Sequence, residues 1–153
     1  MSKNIKHYLW KIKNIIFSLL SYKTIGARAI VINDGKVLLV RHTYMDSKWY
    51  TVGGGVEKGE TPMQAVKREL MEEVGVRCLQ MPRLFGVYYS NYEKRDDYVV
   101  LYIVDKFEQE HANSTEILEM KWFPLQQLPA DISLATKRRI DEFLGIRVVE
   151  ERW

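Results

Sequence analysis

The sequence predicts a layered α/β or α+β domain, on three observations. Asn33-Asp34-Gly35 is a strong turn signal between two apolar runs, which reads as a β-hairpin. Thr61-Pro62 and Gly75 bracket a helix with a start signal and a stop signal. Other apolar runs of strand length surround these elements, and mixed strands and helices bury their apolar faces by packing in layers. With 153 residues, 46% hydrophobic and 28% charged, the chain has the size and composition of one globular domain.

Taken in order, residues 24–32 read as a strand with the small residues Gly26 and Ala27 near its start. Residues 36–41 return as its hairpin partner. A loop holding Asp46 and Ser47 leads to the short apolar-aromatic run 49–52, and Gly53-Gly54-Gly55 follows, where the backbone turns sharply or comes close to a ligand. In the helix that follows, Thr61 suits the N-cap, Pro62 the first helical position, and Gln64 the reciprocal place in a capping box. Gly75 closes it as a left-handed C-cap. Residues 84–89 and 98–107 read as strands joined by a polar loop, and 121–124 as a further short extended piece. Ser133 caps a last helix that runs to about Leu144 and stops at Gly145.

Charge is distributed unevenly. No acidic residue precedes Asp34, while Lys3, Lys6, Lys11, Lys13, Lys23 and Arg28 all fall in that stretch. Apolar residues recur there at helical spacing, so residues 4–21 read as a basic amphipathic helix, and the chain divides into 1–23 and a domain over 24–148. The helix is too short in apolar run to span a bilayer and lacks a signal-peptide cleavage pattern. Two uses are open to it: packing on the domain or in a homodimer, or peripheral contact with an anionic membrane through Trp10 and Phe17. The net charge of +3 is too mild to imply nucleic acid as a partner. A single cysteine, Cys78, excludes an internal disulfide and a cysteine metal cluster, and a cytoplasmic location is the default.

The middle helix carries the chemistry. Glu69, Glu72 and Glu73 stand at i, i+3 and i+4 and project from one side within about a turn. Ala65, Val66, Leu70 and Val74 form the opposite, core-facing side. Carboxylates crowded beside a buried face repel unless something positive offsets them, and a hard divalent cation with oxygen ligands does so. Three glutamates alone read first as a solvated acidic stripe, with Lys67 and Arg68 as ordinary neighbours.

Their context is more specific. Residues 54–76 read GGVEKGETPMQAVKRELMEEVGV, and Gly54, Glu60, Arg68, Glu69, Leu70, Glu72, Glu73, Gly75 and Val76 fill every defined position of a known pattern. This stretch resembles the Nudix box, and the order strand, turn, strand, glycine loop, helix is also that family's. The resemblance covers roughly residues 24–145. It implies a Nudix-type α/β/α sandwich with a mixed sheet, here with an extra N-terminal amphipathic helix. It implies magnesium, with manganese as the alternative, and hydrolysis of the diphosphate linkage of a nucleoside diphosphate derivative, a small-molecule nucleotide substrate. Glu72 and Glu73 match the family's metal ligands, and Glu69 matches a ligand that also orients or deprotonates water. Arg68 then holds Glu69 and Glu60 in place. Gly53 or Gly54 offers a carbonyl to the metal and room for phosphates.

The family often draws a further carboxylate from a later loop. Glu116 is the candidate, six residues before Trp122, with Glu108, Glu110 and Glu119 as competitors. Arg41 and His42 close the second strand where they could meet substrate phosphates. Tyr92 lies about sixteen residues past the box, as a tyrosine does in some dinucleoside polyphosphate hydrolases of the family. Besides the hydrolase, the resemblance leaves open a nucleotide-sensing module that does not cleave, and an isoprenoid diphosphate isomerase.

Overall fold

The computed structural model describes residues 23–91 and 96–153, with Leu9 and Ile12. The proposed N-terminal helix, apart from those two residues, and Tyr92 lie outside the described residues. Among the described residues no helix is long and apolar enough to cross a membrane.

Strand β1 (Thr24–Asn33) turns at Asp34-Gly35 into β2 (Lys36–His42). Both turn residues have positive φ, 47° and 71°, the conformation of a two-residue hairpin turn whose twist matches that of its strands. β3 (Val52–Gly55) precedes helix α1 (Pro62–Val74). There follow β4 (Val76–Cys78), β5 (Arg83–Ser90), β6 (Asp97–Val104), β7 (Phe107–Gln109), β8 (Ile117–Pro124) and helix α2 (Leu134–Phe143).

The main sheet is mixed, in the order β5-β6-β1-β2-β8, with β3 also paired to β1. β1 runs parallel to β6 from Thr24 to Val31 and antiparallel to β3 from Gly26 to Ala29, so its middle is bonded on both edges. β4 and β7 form a separate two-stranded ribbon.

Alternation along the strands builds two cores. Ala27, Ala29, Leu38, Val40, Val100 and Tyr102 pack with Ala65, Val66, Leu70 and Val74 of α1. The intervening residues Ile30, Val37, Leu39, Leu101 and Ile103 pack with Ile140 of α2. The sheet thus lies between the two helices as the middle of three layers.

Both helices begin and end where their sequence signals place them. Thr61 accepts from Gln64 N–H while the Gln64 side chain accepts from Thr61 N–H, and Gly75 ends α1 with φ 67°. Ser133 caps α2. Two strand expectations need correction, and one strand was not expected. The run 98–107 is two strands, broken at Asp105-Lys106, with the second turned to meet β4. β4 is too short to stand out in the sequence. The piece expected at 121–124 begins at Ile117, and most of this edge strand is exposed, so no apolar alternation announces it.

Candidate active site at the glutamate helix

The fixed start of α1 sets the direction in which its carboxylates project. Glu73 is on the inner side of the helix and only 5% exposed, and its Oε2 accepts the Gly53 N–H at 3.0 Å. Burial pushes its carboxyl up to about 8, although the Gly53 hydrogen bond and the charge of Arg28 act the other way. Glu69 is also shifted upward by burial, against the opposing effect of Arg68. Glu72, one turn beyond Arg68, is 60% exposed at its side chain. The three carboxylates therefore grade from buried to open along a single turn.

Arg68 ties this group to the loop before it. Its Nε and Nη2 donate to the two oxygens of Glu60 at 2.8 and 3.0 Å. Nη1 donates to Glu69 at 2.8 Å and reaches Glu72 at 3.4 Å, and Nη2 also meets the Gly55 carbonyl at 3.2 Å. This forked pairing holds the Glu60 carboxyl down to about 2.

The glycine loop lies against the same group. A Cβ on Gly54 would stand 2.7 Å from Glu69 Cδ, so only the missing side chain leaves the carboxylate its place. Gly53 has φ 135°, and a Cβ there would stand 2.7 Å from Arg28 Cα. The loop is pressed between α1 and β1.

A divalent cation fits the chemistry of this donor set. Glu73 is a carboxyl whose charged form water cannot solvate, so a cation beside it would stabilise that form, and Glu69 and Glu72 add hard oxygens. As the side chains stand, no three acidic, imidazole or thiol groups among the described residues converge as a ready metal cluster. Arg68 bonds one oxygen of Glu69 and one of Glu72, so each carboxylate keeps a second oxygen for a cation while Arg68 holds it.

The remaining sequence candidates separate clearly. Glu108 pairs with Arg77 on the β4–β7 ribbon, and Glu110 lies 4.0 Å from the same arginine. Glu119 pairs with Arg41 across β2 and β8. Glu116 is exposed just before β8, and its charge is felt at both Glu69 and Glu73. Arg41 does not line the carboxylate group. It is held by Glu119 and Asp131, and its guanidinium lies 4.4 Å from the Trp49 ring centroid on the α2 side of the sheet. His42 faces the other way. It is 3% exposed, with Nδ1 3.6 Å from Glu73 Oε1, and burial and Arg28 bring its ring down to about 4.

Arg28 was not singled out for chemistry in the sequence. It is a cation within the apolar run Ala27–Ile30, and that placement is the signal it offered. Its Nη1 donates to the Thr51 carbonyl at 3.0 Å, and its charge acts on Glu73. It also lines a cavity of about 510 Å³ together with Tyr50, Asp97, Leu134, Arg138 and Trp153. Arg28 thus lines the cavity while its charge acts on Glu73.

The NUDIX domain family model matches residues 23–143, which takes in the sheet, α1 and α2. The chain belongs to the NUDIX family. Among curated NUDIX relatives, Diphosphoinositol polyphosphate phosphohydrolase 2 of Rattus norvegicus is 32% identical over 94 residues, 61% of this chain and 52% of that protein. Oxidized purine nucleoside triphosphate hydrolase of Danio rerio is 31% identical over 105 residues, 65% of each. The chain thus spans about half to two thirds of the length of these relatives. The solved structure of the MutT NUDIX hydrolase from Burkholderia pseudomallei superposes with a TM-score of 0.69 at 24% identity, covering 78% of this chain and 97% of that one, a likeness of fold.

Proposed function

We propose that this protein is a magnesium-dependent pyrophosphohydrolase acting on a nucleoside diphosphate derivative. The observation that carries this reading is an intact box together with a cavity. Glu69, Glu72 and Glu73 lie on one turn, Arg68 braces two of them, and Arg28, whose charge acts on Glu73, lines a space large enough for a nucleoside.

Glu72, Glu73 and Glu69, with the Gly53 carbonyl, would hold the cation. When bound, it would supply positive charge to the phosphate oxygens and lower the pKa of water. Glu69 or Glu116 takes a proton from the attacking water, whose oxygen forms the new bond to phosphorus as the bridging P–O bond breaks. The departing phosphate carries away the bonding electron pair. Arg68 acts by keeping Glu69 oriented, with Glu60 fixing Arg68 in turn. Gly54 contributes room beside Glu69.

The relatives' names span two substrate classes, diphosphoinositol polyphosphates and oxidized purine nucleoside triphosphates. The test is a magnesium-containing screen of both, with dinucleoside polyphosphates and nucleotide sugars, run beside Glu72→Gln. Turnover of a nucleotide by wild type and its collapse in the variant are expected. Equal turnover by Glu72→Gln sinks the metal-hydrolase reading. Nucleotide binding with no turnover of any substrate favours a sensing module instead.

A further inference from the structure

The family match ends at residue 143, yet the chain after α2 returns to the sheet. Tyr89 N–H donates to the Glu151 carbonyl at 2.7 Å and Trp153 N–H donates to the Tyr89 carbonyl at 2.9 Å, a short bridge beside β5. Helix α2 supplies the other anchors. Arg138 donates to the main-chain oxygen of Trp153 at 3.1 Å, and Arg139 to that of Arg152 at 2.7 Å. Glu150 N–H donates to Glu142 at 3.2 Å.

Two of these anchors are an odd choice for a helix. Arg139 and Glu142 form a 2.7 Å ion pair with both side chains fully buried. Burying such a pair is costly, and its Coulomb energy repays the cost only when other hydrogen bonds satisfy the charges. Those bonds come from Tyr88 and from the main chain of residues 150 and 152. The pair is thus a post to which the returning segment is tied. Its effect is to set the Trp153 indole, 5.6 Å from the Tyr88 ring, into the wall of the cavity.

We propose that residues 147–153 are a specificity strap, in which Trp153 supplies the stacking surface for a nucleobase held in the cavity. This rests on the hydrolase reading for its place in turnover, but base binding stands apart from cleavage. The lining favours a base over an inositol polyphosphate. A polyanion needs a cluster of cations without anions among them, whereas the lining sets Asp46 and Asp97 beside Arg28, Lys48 and Arg138, and Lys48 pairs with Asp46 at 3.2 Å. Together with the Asp97 carboxylate, the lining includes Tyr50, Val99 and Leu134. These suit a flat ring with N–H donors at its edge.

The experiment compares wild type with Trp153→Ala, Trp153→Leu and Trp153→Phe. For each, KM and kcat are measured with a purine nucleoside triphosphate and a diphosphoinositol polyphosphate. The nucleotide Kd is measured by calorimetry in EDTA, and Tm alongside. Loss of the stacking ring in Trp153→Ala should raise the nucleotide KM and Kd by roughly ten-fold or more, with kcat near wild type. Trp153→Phe should recover most of the affinity, and any inositol turnover should not respond. If Trp153→Ala is unstable, Trp153→Leu carries the same expectation with apolar bulk retained. Unchanged nucleotide Kd in a folded Ala or Leu variant overturns the proposal, as does an equal loss for both substrates. Should wild type cleave nothing, the hydrolase reading falls while the Kd comparison still decides the strap.

Discussion

Arg68 grips Glu60 with two hydrogen bonds, from Nε at 2.8 Å and from Nη2 at 3.0 Å, and so closes the glycine loop onto the first turns of α1. The same guanidinium braces Glu69. Removing it should cost orientation more than fold. Arg68→Ala is expected to lower kcat by about 10–100-fold, the usual effect of losing a partner that orients a ligand. Arg68→Lys should recover little, because an ammonium cannot reproduce the fork. Steady-state kinetics with saturating magnesium checks both.

The Glu60 pair also sets a pH dependence. Its carboxyl lies at about 2 in the fold, held there first by the Arg68 hydrogen bonds, below its ordinary value of 4.5. A depressed acid contributes stability that is present above the unfolded value and lost as pH falls through the folded one. Wild type should therefore exceed Glu60→Gln in Tm at pH 6–7, with the gap closing between about pH 4.5 and pH 2. Thermal denaturation across that range would show a constant gap if the pair contributes nothing.

The two loop glycines should fail in different ways. Gly54→Ala places its methyl against Glu69, a side chain that can swing aside, so activity should fall while Tm stays near wild type. Gly53→Ala meets the backbone of β1 at a φ of 135°, and nothing there can give cheaply. It should cost about 1–3 kcal/mol of stability or more. Denaturant melts and kinetics on the same two proteins separate these outcomes.

Arg139→Met should be among the most damaging single changes outside the box. It leaves Glu142 buried without its cation, a loss of about 3–5 kcal/mol. Arg139→Met with Glu142→Leu should recover part of it, since the second change removes the stranded charge. Urea unfolding gives both values. A neutral single mutant would mean that the pair is hydrated in solution.

How much of this was readable in the sequence depended on how local the cause was. Thr61, Pro62, Gln64 and Gly75 act on their own backbone within a turn, so both ends of α1 were legible, as was the Asp34-Gly35 hairpin. Trp153 and the Arg139–Glu142 pair were not. At i and i+3 on a helix such a pair looks like surface decoration, and only the returning chain buries it. Arg41 looked available for phosphate because its partners, Glu119 and Asp131, are about eighty to ninety residues away. Long-range pairing of this kind leaves no local mark.

The double bonding of β1 bears on how the protein opens. From Gly26 to Ala29 it is paired with β3 on one edge and β6 on the other. Ala27 and Ala29 lie in the α1 core, while Ile30 lies in the α2 core. No seam therefore runs between the two layers that would let one loosen while the other stays shut. Amide protons along this strand should exchange only through global unfolding, as one cooperative unit. A destabilising change in either core would then register as faster exchange on both sides of the sheet.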